Sequence, residues 1–298
     1  MPEARLHDGS TIEIEVHGAG PALLLPIDPR PVEGPAAEEL RKYGADPALG
    51  RSLIEGLSDA FRVVAFDYQG QVTRTPKPET LTPDNAVADL LAVADAAGVE
   101  RFAYYGYSWL AVIGLQLAIR TGRLTALIMG GFPPLDAPYA DMLRVTTVAH
   151  EMAVAAKSAA QSTAGSGQRS DAPTAQAAVK EAKDSEWSTV SLSEDQTRQF
   201  VTLYQALQDF DDRAAQARLT CPRLCFVGSA DEIQYGKSWG DVHLNLAEPI
   251  VRGRADLEAL GWDVVVLDGL NHMQAMQAAQ VVPILRSWLP AQLASQQR

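Results

Sequence analysis

The sequence predicts an α/β protein, with a mostly parallel central sheet, helices on both of its faces and a helical insertion. Three observations carry that expectation. Continuous apolar runs recur at residues 22–27, 61–67, 124–130 and 222–228, and such runs mark strands buried on both faces. Stretches with apolar residues at helical spacing separate them, the alternation that gives a parallel sheet. From about Phe132 to Leu219 the alternation stops and the pattern is helical. Residues 1–132 and 220–298 are therefore expected to form one core, and 133–219 a helical cap over the carboxyl edge of its sheet. With 298 residues, 47% of them hydrophobic, the chain can bury a core of that size.

The elements follow in order. Thr11-Ile12-Glu13-Ile14-Glu15-Val16 alternates strictly and reads as a half-exposed antiparallel strand. The buried run at 22–27 leads to a loop with Pro29, Pro31 and Pro35, then to helical stretches near 36–43 and 49–60. After the strand at 61–67 a loop is expected over 68–78. Thr82-Pro83-Asp84 opens a helix through Ala97, with proline in the first turn, where no N–H partner is needed. The aromatic run at 101–107 reads as a strand that passes into a helix at Ser108 without an intervening loop. Segment 158–176 is rich in Ala, Ser, Gly, Gln and Thr and predicts a mobile loop. Ser193-Glu194-Asp195-Gln196 has capping-box spacing and opens a helix to about Ala217. Strands at 222–228 and 262–267 and a closing helix at 273–288 complete the pattern.

The net charge of −12 argues against nucleic acid and anionic membrane surfaces as partners. No apolar run approaches the ~20 residues of a membrane span. The start, Met1-Pro2-Glu3-Ala4-Arg5, is polar and lacks a leader pattern. A soluble, cytoplasmic protein is expected. Cys221 and Cys225, spaced C-x-x-x-C in an extended run, fit neither a redox pair nor half a zinc site and read as reduced packing residues. His150-Glu151 lacks the second histidine of a zinc helix motif. No metal or cofactor is expected.

A strand that turns into a helix over one residue strains that residue's backbone and lifts its side chain above the sheet edge. Ser108 is that residue. The amides opening the helix point to the same place and can hold developing negative charge. The alternative reading of Ser108 is a helix N-cap. A serine nucleophile needs a base, and the base needs an acid that orients it. Of the five histidines, His7 and His17 sit beside the early strands, His150 in the insertion and His243 in the connection before the last strand. Only His272 directly follows a core strand at its carboxyl end, where reactive groups gather in such sheets. Asp231 follows the penultimate strand by three residues, and Asp136 is the fallback acid.

With these residues the chain resembles the α/β-hydrolase superfamily, in particular its capped esterases and C–C hydrolases. Leu23-Leu24-Leu25-Pro26, 61–67 with Gly70, Gly106-Tyr107-Ser108-Trp109, Gly228-Ser229-Ala230-Asp231 and Gly269-Leu270-Asn271-His272 carry the likeness. It covers both sheet halves and omits the cap. The resemblance implies a nucleophile at Ser108, an acid at Asp231, a base at His272 and an oxyanion donor at the Trp109 amide. The second donor would be the amide of Ile27 or Asp28. Relatives that open epoxides or displace halides place aspartate at the elbow, so Ser108 points to acyl transfer on esters, thioesters, lactones, amides or activated carbon–carbon bonds, with an ester, thioester or lactone of a small organic substrate as the expectation. Three departures stand out. Pro26-Ile27-Asp28 replaces the family's His-Gly, with a carboxylate that opposes an oxyanion unless it turns away. Leu110 replaces a small residue and is expected to open the elbow. Gln71-Val72 stands where His-Gly is common. A ligand-binding or weakly active protein, or a lyase or perhydrolase on the same fold, is the alternative. Arg30 is a candidate for an acidic substrate group, and Tyr107 for the pocket wall. The partner is expected to be a small molecule; a homodimer is compatible with the sequence, which does not define the oligomeric state.

Overall fold

The computed structural model of the chain describes residues 2–42, 44–166 and 192–295. Seven strands form the central sheet: β1 (Glu15–His17), β2 (Ala22–Leu25), β3 (Arg62–Ala65), β4 (Phe102–Tyr107), β5 (Leu124–Gly130), β6 (Arg223–Gly228) and β7 (Trp262–Leu267). Their order across the sheet is β7-β6-β5-β4-β2-β3-β1. All neighbours are parallel except β1, which pairs antiparallel with β3 at the edge. Because successive side chains of a strand face opposite ways, Leu24 and Tyr104 enter one core layer while Leu23, Leu25, Ala103 and Tyr105 enter the other.

The helices that pack on the sheet or over its carboxyl edge include α1 (Leu49–Leu57), α2 (Pro83–Ala96), α3 (Trp109–Ala118), α4 (Tyr139–Ser166), α5 (Glu194–Ala206) and α6 (Ala278–Ser295). Leu90 and Val93 of α2 and Val112 and Leu115 of α3 close the first layer. Leu53 and Leu57 of α1 and Val281, Leu285 and Leu289 of α6 close the second. Helices thus cover both faces, as the continuous apolar strands require. Thr82 caps α2 through its hydroxyl to the Asn85 amide, with Pro83 inside the first turn.

Several boundaries differ from expectation. The alternating run at 11–16 divides: Thr11–Glu13 forms a hairpin with Glu3–Arg5, and only Glu15–His17 joins the main sheet. The loop expected over 68–78 begins with a helix, Tyr68–Arg74. Asp67 caps it, accepting from the Gly70 amide at 2.7 Å, and Arg74 returns from its last turn to the same carboxylate at 2.8 Å. These two contacts outweigh the weak helix preference of Gly70 and Thr73. The helix expected to run to Ala217 stops at Ala206, because Asp211 caps a new short helix, Asp212–Ala215. Helix α4 continues through Ser166 into the segment expected to be a mobile loop; residues 167–176 of that segment lie outside the described residues. The closing helix is two helices, His272–Ala275 and α6. Both cysteines are buried and unpaired with each other. Among the described residues no helix is long and apolar enough to cross a membrane.

Between β5 and β6 the chain leaves the sheet for α4 and α5, which pack together. Helix α5 opens with a capping box between Ser193 and Gln196. The same Gln196 side chain donates to the Thr73 carbonyl at 2.8 Å. One turn on, Gln199 donates to the Val72 carbonyl at 3.0 Å and accepts from the Lys77 amide at 3.1 Å. Segment 72–77 is therefore the bed on which α5 lies.

Lys77 also anchors the amino-terminal hairpin. Its ammonium is fully buried against the carboxylate of Asp8 and near the Ser10 hydroxyl. Burial pushes the Asp8 carboxyl up, but the hydrogen bonds from Lys77 and from Ser10 outweigh it and hold the pKa at about 2. A depressed carboxyl contributes stability that is complete above its ordinary pKa of 3.8 and is lost as pH falls toward that value of about 2. Asp8→Asn, which leaves Lys77 buried beside a neutral group, is expected to cost about 3 kcal/mol at neutral pH. Urea denaturation of both proteins from neutral pH down to about pH 2 should show the gap narrowing as Asp8 of the native chain protonates.

Candidate active site

Strand β4 ends at Tyr107 and α3 starts at Trp109, so Ser108 makes the whole turn, with φ 57° and ψ −132°. Such a conformation costs an L-residue about 1–3 kcal/mol. Three contacts impose it. The Ser108 amide donates to the Gly130 carbonyl on β5 at 2.9 Å, and the Ala111 amide donates to the Ser108 carbonyl at 2.9 Å. At Gly106 a Cβ would stand 2.3 Å from the Leu110 carbonyl oxygen, so only glycine lets α3 close over the strand. The bulk of Leu110 does not prise the elbow apart. Its carbonyl is held by the Tyr104 hydroxyl at 2.9 Å, and the residue lines the cavity above Ser108. The Ser108 side chain makes no capping hydrogen bond to the helix it precedes.

Asp231 and His272 come from loops after β6 and β7. Asp231 is fully buried, and its Oδ2 lies 2.8 Å from His272 Nδ1. Its main-chain carbonyl accepts from the amides of Leu246 and Ala247 at 3.0 and 3.1 Å, which fixes the loop. A carboxylate can only accept, so Nδ1 carries the imidazole proton and Nε2 is the basic nitrogen. His272 begins a short helix whose capping box joins Asn271 and Gln274. Tyr107 holds the other side: its hydroxyl donates to the His272 carbonyl at 2.7 Å, and its ring centre is 4.9 Å from the imidazole. Tyr107 lines the cavity as well, but this grip on His272 is a role no local sequence pattern announces.

A second histidine–carboxylate pair, partly buried at its histidine, has no such setting. His7 Nδ1 meets Asp89 at 2.9 Å, Tyr68 donates to the same carboxylate at 2.8 Å, and His7 Nε2 is engaged by the Thr80 hydroxyl at 3.1 Å. Both ring nitrogens are occupied, and the group ties the amino-terminal hairpin to α2. Asp136, the fallback acid, is exposed and pairs with Arg213 at 3.1 Å.

The two candidates for second oxyanion donor, Ile27 and Asp28, differ in their hydrogen bonding. The Ile27 amide donates to the Leu25 carbonyl at 2.9 Å and is thereby occupied. Among the described residues neither the Asp28 amide nor the Trp109 amide donates to a protein acceptor. The Asp28 carboxylate turns to Arg30, accepting from its amide at 3.0 Å and its guanidinium at 3.4 Å. Arg30 also lies 3.6 Å from Glu13. Its guanidinium, more than half exposed, thus faces two carboxylates, and hydrogen bonding to Asp28 raises its pKa.

Ser108 opens into a cavity of about 550 Å³, walled by apolar residues from the Leu25–Val32 region, α1 and Met273 and Met276, and covered by Phe200 of α5. Phe200 meets the Trp109 ring edge-on at 5.5 Å, and the Trp109 indole donates to Gln69. A second chamber of about 30 Å³, beneath α4 and α5, shares Ser108, Trp109 and His272 with the first. Sequence reasoning identified neither Phe200 nor Gln69, whose positions depend on contacts between distant segments.

The elbow geometry makes a direct prediction. Gly106→Ala is expected to destabilise the protein by about 2 kcal/mol, because the Leu110 carbonyl must move. Ser108→Gly should be about 1 kcal/mol more stable than Ser108→Ala, since glycine alone adopts this backbone without strain. Chemical denaturation of the three variants checks both.

No protein-family model matches the chain. Among curated proteins, RutD of Agrobacterium fabrum, a candidate carbamate hydrolase, is 31% identical over 114 residues, 38% of this chain and 40% of that protein. A strigolactone esterase of Arabidopsis thaliana is 31% identical over 97 residues, 31% of this chain and 36% of that protein. The matches thus span well under half the length of these relatives. Among solved structures, the enol-lactonase from Burkholderia xenovorans LB400 superposes with a TM-score of 0.58 at 17% identity, over 97% of this chain and 100% of that one. Together with the strand order, this likeness over nearly the whole chain establishes that the protein has the α/β-hydrolase fold.

Proposed function

We propose that the protein is a cofactor-independent serine hydrolase that cleaves an ester, thioester or lactone of a small organic substrate through an acyl-enzyme on Ser108. The observation that carries this reading is the buried 2.8 Å pair of Asp231 and His272, set on the rim of the cavity into which the strained Ser108 opens. The hydrolase, esterase and lactonase names of its relatives support it.

In this reading Ser108 Oγ attacks the carbonyl carbon while His272 Nε2 takes its proton. The Asp231 carboxylate stabilises the imidazolium that forms. The amides of Trp109 and Asp28 receive the negative charge on the carbonyl oxygen. Collapse expels the leaving group, which takes the proton from His272. Water then attacks the acyl-enzyme by the same route, and the acid and Ser108 are released. Pairing of Asp28 with Arg30 offsets the carboxylate charge that Pro26-Ile27-Asp28 brings in place of His-Gly. Helices α4 and α5 act as a cap that bounds the pocket, and a largely apolar volume of about 550 Å³ suits a small apolar ligand.

A fluorophosphonate probe read by intact mass should give one adduct on the native protein and none on Ser108→Ala. No adduct on either, with the probe shown to enter the cavity, would sink the hydrolase reading and favour a ligand-binding protein. Once a substrate is in hand, Asp231→Asn should lower kcat by roughly 10³–10⁴-fold with a smaller change in KM, because the imidazole loses its orienting acceptor.

A further inference from the structure

The small chamber under α4 and α5 has mostly hydrocarbon walls, among them Phe132, Met142, Phe200, Leu244 and Leu246. At about 30 Å³ it has room for a short chain of about two or three heavy atoms. Beside Ser108 and His272, the hydroxyl-bearing Thr146, Tyr204 and Tyr235 also line it, and the Thr146 hydroxyl is already held by the Met142 carbonyl at 2.8 Å. Tyr204 comes from α5. The residue is 1% exposed, and its hydroxyl has no hydrogen-bond partner among the described residues. Burial pushes the phenol far above its ordinary pKa, so it remains a donor at any working pH. A donor taken out of water without a replacement acceptor is costly, and native interiors contain few of them. Among the described residues five other buried polar atoms lack a partner, on Gln116, Tyr139, Arg223, Asp231 and Trp239, but none of those residues lines this chamber or the large cavity. Tyr204 is therefore placed to meet an acceptor brought in beside Ser108.

We infer that Tyr204 is a specificity-determining residue: it donates a hydrogen bond to an oxygen on the smaller substituent of the scissile carbonyl. The inference rests on the hydrolase reading above. It assigns a substrate class with two unlike ends. The larger end is apolar and fills the large cavity. The smaller end is a short hydroxyalkyl or alkoxyalkyl group in the chamber, on either the acyl or the leaving-group side, since Ser108 and His272 border both spaces. A hydrocarbon group of the same size would leave the Tyr204 hydroxyl unsatisfied, the circumstance in which buried polar groups discriminate most strongly.

The test compares native protein and Tyr204→Phe on two matched ester pairs: phenyl glycolate against phenyl propionate, and 2-hydroxyethyl phenylacetate against propyl phenylacetate. Intrinsic reactivity differs within each pair but cancels when the two proteins are compared. In one pair, the kcat/KM preference for the oxygen-bearing ester is expected to fall at least about tenfold in the variant. The ligand-free variant should melt at or above the native temperature, because the hydroxyl has no protein partner to lose. Unchanged ratios in both pairs overturn the inference, as does a lower melting temperature, which would mean that the hydroxyl is bonded within the protein. A native protein that takes the fluorophosphonate on Ser108 but hydrolyses none of the four esters overturns the substrate class alone. A protein that takes no probe overturns the hydrolase reading and this inference with it.

Discussion

The turn at Ser108 sets the terms for everything around it. A backbone conformation that glycine alone adopts freely is forced on a serine, and the force comes from main-chain bonds to β5 and from the close fit of Gly106 under the Leu110 carbonyl. The strain is borne by two parallel strands and a fully buried helix, elements among the hardest in the molecule to deform. Because the turn is sharp, the opening amide of α3 donates to no protein acceptor among the described residues. A looser loop would cost less and would aim neither the hydroxyl nor the amide.

Charge around the large cavity is arranged in closed pairs. Asp28 faces Arg30, Asp67 faces Arg74, and Asp231 faces His272 through Oδ2, while Asp231 Oδ1 has no partner among the described residues. Asp46 is occupied by the Ala48 amide and the Ser52 hydroxyl. The glutamines nearby are likewise engaged, Gln69 by Trp109 and Gln196 and Gln199 by main-chain groups. The cavity therefore presents hydrocarbon and already-satisfied polar groups, and polar recognition falls to the few atoms that have no partner of their own.

Much of this was legible in the sequence, and the rest was hidden for identifiable reasons. Buried strands announce themselves by uninterrupted apolar residues, so the sheet and the strand-end positions of Ser108, Asp231 and His272 could be read directly. The helix at 68–74 was missed although its cap, Asp67, is a recognised start signal, because Gly70 and Thr73 read as loop. The occupied state of the Ile27 amide could not be foreseen, since it turns on one main-chain bond to Leu25. Tyr204 looks in sequence like one more apolar position beside Phe200 and Leu203. What distinguishes it is an absent partner, and absence of a partner is a property of the assembled interior.

Helix α5 is pinned by Gln196 and Gln199 to the bed formed by 72–77, so the cavity wall beside it is held by hydrogen bonds. Across the cavity, Arg30 and Val32 belong to its lining and are exposed. There Pro29 and Pro31 fix their own φ angles, and the Val32 amide is tied to the Pro47 carbonyl at 2.8 Å. The wall of the cavity is thus stiff in both places, and the girth of a molecule, as much as its functional groups, decides whether it fits there.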